Sequence, residues 1–186
     1  MQWTHNQWIE YFSNQLKQFK IHNYTAKIQS EAFHFCIKDM TSQLSAVILD
    51  FSENFTMKCQ NETQNAFFAR GNVTLLTGVI YFNNTLRSFA IISNCLRHDK
   101  YLVYACKKKI VELILKEMPI VSEIIWFSDG APAHFKNSFS ISNLLLLEKE
   151  HKINMKWSFF APGHGKGPAD GVGGNVKHMV ERRIFA

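Results

Sequence analysis

Residues 46–51, Ala46-Val47-Ile48-Leu49-Asp50-Phe51, place four aliphatic residues in a row and follow them with an acid. A run this short, containing Val and Ile and flanked by polar residues, has the length and composition of a strand buried on both faces. Residues 123–129, Glu123-Ile124-Ile125-Trp126-Phe127-Ser128-Asp129, repeat the pattern, with an acid at the end of the run and Gly130 directly after it. Strands buried on both faces need helices on both, so the two runs predict an α/β sheet with a carboxylate at or near the end of each.

Working outward, Val73–Leu75 with Val79–Phe82, and then Phe89–Ile92, read as two further strands. The turn signal Asn83-Asn84 joins them into an antiparallel meander. Tyr101–Met118 carries apolar residues at helical intervals around Lys107, Lys108 and Lys109, and Pro119 stops it, as expected of a crossover helix. Ser140–His151 reads as a helix and Met155–Phe160 as a strand. Pro162–Gly174 reads as a glycine-rich loop leading into a helix from about Val172. The order is β-β-β-α-β-α-β-α. Ahead of it, Trp3, Trp8, Tyr11, Phe12, Leu16 and Phe19, then Ala32, Phe33, Phe35, Cys36 and Ile37, predict two helices whose aromatic stripe is packing surface. The expected division is a helical extension over 1–42 and a core over 43–186.

That order makes the first and fourth strands parallel neighbours through a right-handed crossover, which brings Asp50 beside Asp129. Ligands of α/β sheets collect at such carboxyl ends. Asp170, in Gly163-His164-Gly165-Lys166-Gly167-Pro168-Ala169-Asp170-Gly171, is placed to close the cluster from a helix N-terminus. Three converging carboxylates require a counter-charge, and a hard divalent cation, Mg2+ or Mn2+, supplies it. Two such ions about 4 Å apart would activate a nucleophile and stabilise the leaving oxygen of a phosphodiester. Taken singly, each acid also reads as a turn or cap residue. It is their joint placement that carries the metal reading.

Composition sets the bounds. With 186 residues and 46% hydrophobic content the chain can bury one core. The balance of 21 Lys+Arg against 15 Asp+Glu, a net charge of +6, argues against disorder and favours an anionic partner, although solubility alone explains such an excess equally well. No apolar window approaches the length of a membrane span, and Met1–His5 lacks a signal peptide's basic start, so neither a membrane nor export is expected. Cys36, Cys59, Cys95 and Cys106 form no Cys-x-x-Cys pair and read as reduced thiols rather than zinc ligands. Gly163-His164-Gly165-Lys166 lacks the spacing and the Ser/Thr of a phosphate-binding loop. Gly171-Val172-Gly173-Gly174 does not match the dinucleotide fingerprint, and no Gly-x-Ser-x-Gly elbow occurs.

Three strings carry a family resemblance: Leu49-Asp50-Phe51-Ser52-Glu53-Asn54, Phe127-Ser128-Asp129-Gly130-Ala131, and the long run from His164 to Gly174. With the order of elements, over about residues 45–186, they resemble the ribonuclease-H-like catalytic core of DDE/DDD transposases and retroviral-type integrases, in particular transposon-derived proteins of animal genomes. The resemblance implies a ribonuclease-H-like mixed sheet. It implies that Asp50, Asp129 and Asp170 are the catalytic, metal-binding acids, with two Mg2+ or Mn2+ ions, and that the chain cuts and joins DNA in the nucleus as a homo-oligomer on DNA. Departures are Phe67-Phe68, where related sequences carry a His-Trp pair, and Ala169, where they carry a Cys. Two rivals share the fold: an inactive, domesticated DNA-binding protein and a metal-dependent nuclease without strand transfer. In the same strings Glu53 reads either as a further metal ligand or as a solvated turn acid. His164, Lys166, His134, Lys136 and Asn137 read as candidates for DNA contact. The sequence shows no DNA-end-binding module and stops at Arg183-Ile184-Phe185-Ala186, inside what reads as a continuing helix, so a fragment is expected.

Overall fold

The first apolar run opens a longer strand than its composition suggests. In the computed structural model, which describes residues 3–58, 60, 63–64, 70–83, 85–164 and 167–185, β1 spans Leu44–Thr56. Phe67, Phe68 and Lys166 lie outside the described residues. β2 (Asn72–Phe82) pairs antiparallel with β1, and β3 (Thr85–Ser93) pairs antiparallel with β2. Their hairpin turns at Asn83, whose φ of 44° is the left-handed conformation that Asn tolerates. After α2 (Lys100–Glu117), β4 (Glu123–Ser128) lies parallel to β1. After α3 (Ser138–His151), β5 (Asn154–Phe159) lies parallel to β4, and α4 (Pro168–Ile184) closes the described chain. The sheet order is β3-β2-β1-β4-β5, so the fold is the expected α/β, ribonuclease-H-like mixed sheet, preceded by an N-terminal helix.

Local chemistry explains the helix ends. The Asp99 carboxylate accepts from the backbone N–H groups of Tyr101 and Leu102, at 3.1 and 2.9 Å, and caps α2. Asn137 Oδ1 accepts from Ser140 N–H at 2.9 Å and caps α3. Lys152, at φ 56°, ends α3 in the left-handed conformation.

Side-chain alternation along the strands divides the core into two layers. Val47 and Leu49 of β1 and Trp126 of β4 pack with Val103, Ile110 and Leu147 against α2 and α3. Lys107 is buried in this layer with its ammonium 3.8 Å from the centroid of the Trp157 ring and 4.5 Å from that of Trp126. Burial holds that amine well below the usual lysine range. On the other face, Ala46 and Ile48 of β1, Val79 of β2 and Phe127 of β4 pack against Phe33, with Val172 of α4 at the margin.

The N-terminal segment departs from expectation. Instead of two helices it forms one, α1 (His5–Lys38), of 34 residues. No Gly or Pro interrupts it, Thr4 and Gln7 close a capping box at its start, and Thr25, a weak helix former, donates its hydroxyl back to Ile21 O at 2.9 Å. The aromatic stripe also differs, since Trp8, Phe12 and Phe19 remain 56–64% exposed and only Ala26 and Phe33 are buried. Phe33 is the anchor, with ring centroids 4.9 Å from Phe127, 5.6 Å from Phe160 and 6.0 Å from Tyr81. Phe33→Ala is expected to remove about 3 kcal/mol or more of local packing. It should release α1 while leaving the sheet folded. Limited proteolysis checks this: cleavage within residues 5–38 should accelerate and a core beginning near β1 should survive. Uniform degradation of the whole chain would contradict it.

Among the described residues, no helix is long and apolar enough to cross a membrane.

Candidate active site

β4 pairs with β1 only from Leu44↔Glu123 to Ile48↔Phe127. The same register continued two residues sets Asp50 opposite Asp129, just past the last residue of β4. Asp50 was expected where its strand closes, but β1 runs on to Thr56 through an irregularity between Ser52 and Phe55. The strand end that opens the site is that of β4, because beyond Ile48 the parallel ladder stops while β1 still pairs with β2. Alternation puts Asp50 with Ala46 and Ile48, and Asp129 with Phe127, on the layer that carries α1 and α4.

The third acid comes from α4. This helix starts at Pro168, about four residues before the expected start, so Asp170 sits in its first turn. Pro at the first helical position suits a start there, since its missing N–H has no partner to lose. Buried Thr77, the β2 residue paired with Asp50, donates its hydroxyl to Ala169 O at 3.0 Å. The first turn of α4 is thereby tied down next to Asp50.

The electrostatics register the convergence. The Asp50 carboxyl is pushed up to about 6, first by burial and next by Asp129; the Phe51 N–H pulls it down, and Asp170 raises it further. Each carboxylate turns one oxygen to a local backbone donor. Asp50 Oδ1 accepts from Phe51 N–H at 2.8 Å, Asp129 Oδ1 from Ala131 N–H at 3.1 Å, and Asp170 Oδ2 from Gly167 N–H at 3.2 Å. Among the described residues, no group of three or more His, Cys, Asp or Glu side chains is gathered closely enough to hold a metal ion. The donor set still fits a hard divalent cation in kind: oxygen ligands only, on one face, with Asp50 raised partly by the charge of the other two. Asp50 and Asp129 form the inner pair, and Asp170 stands exposed at its edge.

The other predicted residues are placed less centrally. Glu53 is exposed at the irregularity of β1. His134 is half-buried among aromatic rings, 5.4 Å from Phe51 and 5.8 Å from Phe135. Asn137 spends both ends of its amide, capping α3 and donating to Pro132 O at 2.9 Å. Lys136 is exposed beside Gly130, its ammonium 5.7 Å from the Phe159 ring centroid. His164 is exposed and faces His22 of α1, with ring centroids 5.0 Å apart.

Two contributors carried no sequence signal. His98 stacks flat on Phe51 at 4.4 Å, and its Nε2 lies 2.8 Å from Asn54 Oδ1 and 3.1 Å from Thr74 Oγ1, pinning the far part of β1 to β2. Burial, followed by the charge of His134, lowers its pKa. Thr77 is the second, legible only once its pairing with Asp50 is known.

Among solved structures, the Mos1 transposase in its paired-end complex with the left transposon end is similar, with a TM-score of 0.48 and 13% identity over 91% of this chain and 55% of that one. The chain thus spans about half the length of that protein. No curated protein matches the sequence. Residues 29–186, from within α1 to the last residue, match a family described as a domain of unknown function, DUF8701. By that match over most of its length, the chain belongs to the DUF8701 family.

Proposed function

We propose that the chain is the catalytic core of a metal-dependent enzyme that cuts and joins DNA phosphodiesters, of the DDE/DDD transposase type. One observation carries the reading: Asp50, Asp129 and Asp170 lie on one face of a ribonuclease-H-like sheet, and the charges of Asp129 and Asp170 both raise the Asp50 carboxyl. When bound, Mg2+ or Mn2+ would supply the positive charge that polarises the phosphodiester and activates an attacking water or hydroxyl.

The chain's own residues have distinct tasks. Asp50 and Asp129 hold the charge between β1 and the end of β4, and Asp170 faces them from the first turn of α4 at the edge of the pair. The N–H groups of Phe51, Ala131 and Gly167 orient the carboxylates, leaving one oxygen of each without a protein donor among the described residues. Exposed Lys136, close to Gly130, suits a phosphate approaching the pair.

A second reading, an inherited core that binds DNA without cutting it, is favoured by the same hydrogen bonds, since all three acids already have backbone partners. Nicking of supercoiled plasmid DNA in Mg2+ or Mn2+ separates the two. Nicking by the intact chain that is lost in Asp129→Asn supports the enzyme. Binding without nicking, or equal nicking by the variant, supports the second reading. Joined product from a supplied 3′-hydroxyl end distinguishes strand transfer from hydrolysis alone.

A further inference from the structure

α4 begins with an unusual sequence for a helix: Gly171, Gly173 and Gly174 all fall within its first two turns. Glycine is the weakest helix former after proline, so three in so short a span need a reason. At Gly171 and Gly174 a side chain would meet nothing within 4 Å. Gly173 differs. A Cβ there would stand 2.7 Å from Ser52 Oγ, 3.0 Å from Ser52 Cβ and 3.6 Å from Thr77 Oγ1. Buried Gly173 is therefore where the α4 backbone presses directly on β1 and β2, at the residue two beyond Asp50 and at the residue paired with it.

We infer that Gly173 is a positioning residue for Asp170: the missing side chain lets α4 settle onto Ser52 and Thr77, which carries the carboxylate one turn earlier to the Asp50–Asp129 pair. Two observations converge on this. The steric contact falls at Gly173 and not at its neighbouring glycines. The Thr77 hydroxyl holds Ala169 O in the turn that contains Asp170. With a methyl group at 173 the Ser52 hydroxyl has to swing aside, and the Ser52 Cβ at 3.0 Å, held in a strand paired with β2, still pushes α4 off the sheet. The inference rests on the reading of these acids as a metal site.

The test uses the full chain with Gly173→Ala, Ser52→Gly and the double variant, reading Mn2+ binding by electron paramagnetic resonance and amide hydrogen exchange along α4. Gly173→Ala should weaken Mn2+ binding about tenfold or more, the scale typical of disturbing a residue that supports a metal ligand. It should also speed exchange in the first turns of α4, with α2 and β4 still protected. Ser52→Gly removes both obstructing atoms, so the double variant should regain the exchange and Mn2+ affinity of Ser52→Gly alone. Should Gly173→Ala fail to fold, Thr77→Val removes the hydroxyl tie at nearly constant volume and should loosen the same turn and weaken Mn2+ binding. Unchanged exchange and affinity in Gly173→Ala, or a loss that Ser52→Gly does not rescue, would overturn the inference. Absence of Mn2+ binding by the unaltered chain would instead overturn the metal reading, while exchange in the variants still reports whether Gly173 docks α4.

Discussion

Under the proposed function, substituting either inner acid is expected to abolish metal-dependent cutting, and Asp50→Asn should also make the metal-free protein more stable. Asp129→Asn and Asp50→Asn each remove a charge from carboxylates that the proposed mechanism uses as a unit, and losses of roughly a thousandfold or more in rate are usual for such units. The stability effect follows from the Asp50 carboxyl, whose folded value of about 6 lies above its ordinary 3.8. A folded-state value raised in this way means the folded chain holds the proton more tightly than the unfolded one. The stabilisation is fully present below about pH 4 and is lost as the pH rises through about 6. At pH 7 to 8 without metal, folding therefore works against a charge that Asp50→Asn removes. The expected gain is on the order of 1–2 kcal/mol, less than the full shift because the carboxylate is only partly buried. Thermal denaturation in a chelator checks it: the variant should melt several degrees higher at pH 7.5 and level with the unaltered chain near pH 4. A variant that melts lower at both pH values would show that the carboxylate stabilises the fold.

Trp126→Ala should have the largest effect on stability, about 3–5 kcal/mol. Trp126 is wholly buried in β4, on the α2 and α3 face, away from the carboxylates, with the Lys107 ammonium over its ring. Truncation leaves a cavity beneath α2 and removes one of the two aromatic rings, Trp126 and Trp157, that face the buried Lys107 amine. Denaturant unfolding measures the loss. A change below about 1 kcal/mol would mean that α2 collapses into the space, and that this layer is less tightly packed than its burial implies.

How much of this was legible beforehand varies from element to element. The runs at 46–51 and 123–129 marked strands because a short, wholly apolar stretch has few other uses, and Pro119 and Asn83 punctuate the chain through backbone constraints that hold in any context. The continuation of β1 was not legible. Ser52-Glu53-Asn54 has the composition of a turn, yet pairing with β2 and the His98 contacts hold it extended, so tertiary hydrogen bonding overrides local preference. The start of α4 was hidden for a related reason: a glycine-rich string reads as a loop, and contact with Ser52 and Thr77 gives those glycines a place in a helix. The division of the N-terminal segment into two helices failed because apolar spacing shows a helical face but not whether the helix is continuous. Asn137, a candidate for DNA contact, also caps α3, a role open to any Asn that precedes a helix and one the sequence reading did not assign.

The sequence by itself determined the order of the elements and offered the three acids as candidates, because hydrophobic runs, breakers and carboxylates are local properties. Only the tertiary structure decided that Asp50 and Asp129 fall opposite one another in register, that Asp170 stands exposed at the edge of that pair on the same face, and that the Asp50 carboxyl is raised to about 6. Strand register, helix docking and burial are relations between residues far apart in the chain, and they come into being only when the sheet pairs and α4 settles on it.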